Sequence, residues 1–137
     1  MSHYKYLTIL FLTFLIVLTS CQKDKIDEPD RLEQFGILGN WRMQSRTICG
    51  ITDMIVLYDT IGFTTGVKND DLYGEFISVS PGDKTDGQFE INPENSTIHF
   101  IYDNKQSSYE FQISGNTMTF ISYEDDCEVI TDWRKEE

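Results

Sequence analysis

Basic residues are few in this chain. Eleven Lys and Arg stand against 23 Asp and Glu, for a formal charge of −12. A body this acidic repels phosphate backbones and anionic membrane surfaces, which excludes nucleic-acid binding. Histidine is scarcer still. There are two, and His3 lies in the first twenty residues, leaving His99 for the rest. One histidine cannot build a His-rich metal site, and His99, between Ile98 and Phe100, reads as an exposed strand residue. A Ser-His-Asp arrangement would need that one histidine, and no strained Gly-x-Ser-x-Gly turn is present. Gly-rich phosphate loops are missing too. No enzyme chemistry and no cofactor is expected. Helical periodicity is confined to Arg31–Phe35, so the chain reads as all-β.

The longest apolar run, residues 6–18, is shorter than the ~20 residues a spanning helix needs. Lys5 precedes it and the small Thr19 and Ser20 follow, which is the layout of a secretory signal. An uncut membrane anchor is the alternative. Leu18-Thr19-Ser20-Cys21 resembles the lipobox of bacterial lipoproteins. The resemblance implies cleavage before Cys21 and acylation of its thiol and new amino terminus, with chains such as palmitate. Several acyl chains at one point give firm anchoring where one does not. In the sorting pattern of those proteins an Asp after the Cys retains the product at the inner membrane. Gln22 stands there instead, which implies the outer membrane, and Lys23-Asp24 is similar to tethers of surface-exposed lipoproteins. The partner expected on this side is therefore the membrane, through the N-terminal lipid. Residues 1–20 form the signal, 21–35 a lipidated tether, and 36–137 a single domain.

Of three cysteines, Cys21 is taken by lipid. Cys49 and Cys127 remain as an even pair in an oxidising compartment, and a disulfide is expected. Closing so long a loop is worth about 4 kcal/mol in the chain-entropy account. Two buried free thiols are the alternative.

From Trp41 onward, short alternating runs are separated by turn residues at intervals of roughly 8–12, as in a sandwich or barrel. Strands are expected at 40–49, 54–58, 73–79, 87–91, 97–102, 108–113, 117–123 and 127–134, with 61–71 as a Gly-containing loop. In the first strand Trp41, Met43, Ser45, Thr47 and Cys49 share one face. Eight short antiparallel strands suit an up-and-down barrel, which closes and leaves no free edge. Gly39-Asn40-Trp41 looks like the Gly-x-Trp motif of the lipocalins. Tyr109–Phe120 is similar to the penultimate hairpin of small lipocalin-like lipoproteins, and Trp133-Arg134-Lys135 to their aromatic-basic ending. This resemblance implies a lipocalin-like eight-stranded barrel over residues 36–135. It also implies that Trp41 packs at the closed end under Arg134, a solvated Arg134 being the alternative.

Closure makes the first and last strands antiparallel neighbours. Arg42 opposite Asp132 and Arg46 opposite Glu128 would be favourable pairs. Placing Cys49 opposite Cys127 puts Arg42 against Arg134 instead. A bulge near the Cys end would reconcile the two, and the register stays open.

Lipocalin-like barrels hold small apolar molecules in the barrel mouth. The presumed inward residues Met43, Phe89, Phe100 and Tyr109, with Phe111, Met118 and Phe120, are the expected ligand contacts. The competing reading makes these same side chains a solid core, because an eight-stranded barrel is just wide enough for side chains to fill. Function would then lie on loops facing a cell-envelope partner. The acidic runs Asn69-Asp70-Asp71 and Glu124-Asp125-Asp126 offer oxygen ligands of the kind calcium takes, but neither has the spacing of a known loop.

Overall fold

Two-residue turns and period-two alternation dictate a meander, and the computed structural model shows one. It describes residues 31–53, 59–66 and 72–137. Cys21, the signal, most of the tether, the expected strand 54–58 and Asn69-Asp70-Asp71 lie outside the described residues. A short helix α1 (Arg31–Phe35) precedes β1 (Gly39–Ile48), β2 (Ile51–Asp53), β3 (Thr60–Thr65), β4 (Tyr73–Ser80), β5 (Asp83–Asn92), β6 (Thr97–Tyr102), β7 (Lys105–Ser114), β8 (Thr117–Glu124) and β9 (Cys127–Lys135). Sequential antiparallel pairing runs from β3 to β9, and β1 closes the sheet by pairing with both β3 and β9. The result is a closed eight-stranded antiparallel barrel of β1 and β3–β9, with β2 as an extra strand. It is compatible with a lipocalin-like fold.

The turns follow from their residues. Cys49-Gly50, Asp103-Asn104 and Asp125-Asp126 are all left-handed, with φ between 46° and 78°. Paired positive φ values make the type I′ hairpin turn, which matches strand twist. Asp, Asn and Gly enter that region cheaply, whereas Cys49 is held there by its bond to Cys127. Pro81-Gly82 supplies the β4–β5 turn, with Gly82 at φ 85°. All four turns lie at one end of the barrel.

Residues 61–71 are not simply a loop, because Thr60–Thr65 is a barrel strand paired on both sides. Ile61 and Phe63 alternate inward and are buried. The intervening Gly62 looks like a turn signal in sequence. In space it is an ordinary strand residue whose nearest neighbour is the exposed Asn40 side chain, with no positive φ and no turn. Strand β5 also starts earlier than expected, since its polar first half forms the solvated open end of the barrel.

Between β1 and β9, Trp41 faces Lys135, Arg42 faces Arg134 and Met43 faces Trp133. After a bulge at Gln44, Ser45 faces Asp132 and Arg46 faces Thr131. Neither charge pairing, Arg42–Asp132 or Arg46–Glu128, forms. The disulfide does, with Cys49 and Cys127 Cα atoms 5.1 Å apart. Arg42, set against Arg134, is compensated by Glu136, whose Oε1 accepts from Arg42 Nε at 2.6 Å. The bulge sits mid-strand, not near the Cys end. It reverses the facing of everything after it, so Ser45 points outward and Arg46 inward, opposite to the expected face. A bulge of this kind inserts one unpaired residue and swaps the faces beyond it.

The end opposite the four turns is plugged. Leu32 of α1, Ile37 and Trp41 are almost fully buried there, and Phe35 and Leu38 pack against them. Trp41 Nε1 donates to the Ile37 carbonyl at 2.7 Å. The cation over the indole is Lys135, 5.4 Å from the ring centroid, and not Arg134. Strand parity explains the correction: Trp133 and Lys135 face inward while Arg134 is exposed. Lys135 Nζ also donates to the Gly36 carbonyl at 3.1 Å, tying the plug to the last strand.

Above the plug the core is aromatic. Phe63 meets Phe89 edge-on at 5.0 Å, and Phe76 meets Phe100 at 4.8 Å. Phe89 and Phe76 lie over cross-strand glycines, Gly74 opposite Phe89 and Gly87 opposite Phe76. A Cβ at Gly74 would lie 2.6 Å from the Phe89 ring, and one at Gly87 3.1 Å from the Phe76 ring. Burying each ring stabilises the fold by roughly 1.5–3 kcal/mol.

Candidate functional site at the open end

Inward residues change character along the barrel. Near the plug they are apolar apart from Lys135, whose ammonium caps Trp41. Toward the four turns the same inward rows continue as hydroxyls: Ser78 beyond Phe76 on β4, Thr85 on β5, Ser107 before Tyr109 on β7, Ser122 beyond Phe120 on β8, and Thr131 before Trp133 on β9. These short side chains fill less of the barrel than phenylalanines do, and a cavity of about 280 Å³ opens between them. Its floor is Met43, Ile61, Phe76, Phe100, Phe120 and Trp133. Tyr102 and Tyr109 stand on its wall. Ile48 and Ile51 face each other across the β1–β2 hairpin at the rim, and both are exposed.

Two charged side chains line the space, Arg46 and Glu124. They approach to 3.9 Å, Nη2 to Oε1. The Nε of Arg46 is buried and has no hydrogen-bond partner. The Cys49–Cys127 bond joins the β1–β2 turn to the start of β9, three residues beyond Arg46 and Glu124 respectively, and so fixes the rim next to both charges.

The expected ligand contacts divide in two. Met43, Phe100, Tyr109 and Phe120 line the cavity. Phe89, Phe111 and Met118 lie below it, buried in the closed half. The hydroxyl set was missed by searching only for apolar residues. Each of its members except Thr85 stands two positions from a buried or half-buried aromatic, so extending the period toward the turns would have found them. Arg46 had no such signal, because its inward facing depends on the Gln44 bulge.

Outside the barrel, His99 Nδ1 shares a 2.6 Å hydrogen bond with Ser108 Oγ, and Glu90 pairs with His99 on the other side. This row lies on the outer sheet face, away from the cavity. Glu124 faces the mouth, and Asp125-Asp126 form the β8–β9 turn. No group of three or more His, Cys, Asp or Glu suited to a metal occurs among the described residues. No family model matches this chain, and neither a curated protein nor a solved structure matches it.

Proposed function

We propose that the chain is a binding barrel that holds one small amphipathic molecule at its open end. The observation that carries this reading is the 280 Å³ space over an aromatic floor, close to the lower end of ligand pockets at roughly 300 Å³. Apolar walls with a few convergent polar groups are what such sites consist of. The solid-core alternative is favoured for the lower half alone, where Phe63, Phe89, Ile98 and Met118 leave no room. Binding rather than catalysis fits a cavity with one arginine, one carboxylate and hydroxyls.

The lipobox resemblance supports a second part of the proposal: the barrel is carried by acyl chains on Cys21, at the outer membrane. The chain enters the barrel at α1, on the plugged end. An anchor ten residues upstream of Arg31 would then leave the mouth facing away from the bilayer.

A neutral fluorophore tests the binding reading. N-phenyl-1-naphthylamine should brighten and shift to the blue on adding protein, and Ser122→Trp, which fills the space, should abolish the change. No brightening with the native protein refutes it. Cys21→Ser should release the protein from membranes, and a mature mass without acyl groups removes the anchor.

A further inference from the structure

Arg46 lines the mouth of the barrel with its side chain 41% exposed, yet its Nε is buried. Its backbone lies level with Thr131 and Phe120, while Glu124 sits higher, in the last pair before the β8–β9 turn. The guanidinium therefore rises from the aromatic floor toward the rim. Glu124 meets it only at 3.9 Å, beyond the 2.7–3.2 Å range of an N–H···O hydrogen bond. Asp53 stands opposite Arg46 on β2. Glu124 offsets part of the charge, yet the buried Nε–H still has no acceptor. Buried donors are nearly always satisfied, and an arginine fork is satisfied best by a carboxylate taking two N–H groups at once.

We propose that the missing acceptor is brought by the guest, a compact, ring-bearing carboxylic acid. This rests on the cavity reading above. Its carboxylate takes Nε–H and Nη–H of Arg46 and displaces the loosely held Glu124 into solvent. Its ring lies on Phe76, Phe100, Phe120 and Trp133, whose edges and faces suit another aromatic. Compactness follows from the floor, since a long acyl chain would have to pass Phe63 and Phe89, which fill the barrel below. A single negative charge is preferred over a phosphate because Glu124 stands close by.

Calorimetric titration of the native protein at pH 7 with 3-phenylpropionate, its neutral amide and palmitate decides the matter. The acid should bind about tenfold or more tightly than the amide, because a site built to pair a polar group rejects the analogue lacking it. Arg46→Met should erase that preference, bringing acid and amide to the same affinity. Glu124→Gln should tighten acid binding several-fold. Should Arg46→Met fail to fold, Arg46→Lys keeps the charge, loses the fork, and should lose most of the preference. Equal binding of acid and amide to the native protein overturns the carboxylate while leaving the pocket in place. Tighter binding of palmitate overturns compactness. Binding of none of the three overturns both this inference and the pocket.

Discussion

Tyr123 shows how one residue reports its surroundings. It lies outward on β8, 66% exposed, with its hydroxyl 3.5 Å from Glu128 Oε1. The Glu128 charge, then burial and the Glu110 charge, raise its pKa above the ordinary 10.0. The phenolate is thus disfavoured in the folded protein. Its contribution to stability is complete below pH 10.0 and is lost as pH rises through the raised folded value. Ultraviolet titration should find the Tyr123 phenol ionising above the ordinary value, and Glu128→Gln should lower its pKa. Glycine supplies a second test at this scale. A methyl at Gly87 would strike the Ile101 carbonyl, and one at Gly74 would come within 2.6 Å of the Phe89 ring. Each Gly→Ala change should cost about 1–3 kcal/mol as overpacking, read as a lower urea midpoint. Neither glycine announces this in sequence, where both look like turn residues. The carbonyls and rings that crowd them, Thr64 O with Phe89 and Ile101 O with Phe76, are set only by strand register.

Among elements, the hairpins were the most legible. β6, β8 and β9 begin and end within a residue of where alternation and turn chemistry put them. β3 was not legible, because Gly62 and Gly66 disguise a barrel strand as a loop. A bulge was expected in this strand pair, but its position at Gln44 was hidden, since one extra residue leaves no mark on composition yet sends Arg46 inside and Ser45 out. Asp132, left without Arg42, instead accepts from Ser45 Oγ at 2.9 Å and Thr119 Oγ1 at 2.8 Å on the outer face. The disulfide that joins β9 to the β1–β2 turn should be felt as stability. Replacing Cys49 and Cys127 together by alanine should cost about 2–5 kcal/mol and loosen the rim first, seen as faster amide exchange at residues 46–53 than at the plugged end. The plug is a separate contribution. Leu32 is 1% exposed, so Leu32→Ala should cost roughly 2–5 kcal/mol without altering ligand affinity, because it lies at the opposite end from the cavity.

At the level of the whole molecule the barrel has two unlike ends, and the chain enters at only one of them. Alternation revealed that the barrel would close, but not which end would stay open. That was decided by small hydroxyl residues continuing the inward rows and by α1 folding beneath Trp41. If Cys21 carries lipid, the tether to Arg31 spans ten residues, at most about 35 Å when extended. The plugged end then stays nearer the bilayer on average, and the mouth samples the aqueous side, where a soluble guest arrives. A fluorophore placed at Asn116, in the β7–β8 turn of the plugged end, should be quenched more strongly by a lipid-borne quencher than one placed at Asn104, in a turn of the open end. Both labels should be made in lipidated protein on vesicles with the disulfide intact. Equal quenching would mean that the barrel tumbles freely on its tether. Stronger quenching at Asn104 would mean that the mouth faces the membrane, and the guest would then have to come from the lipid phase.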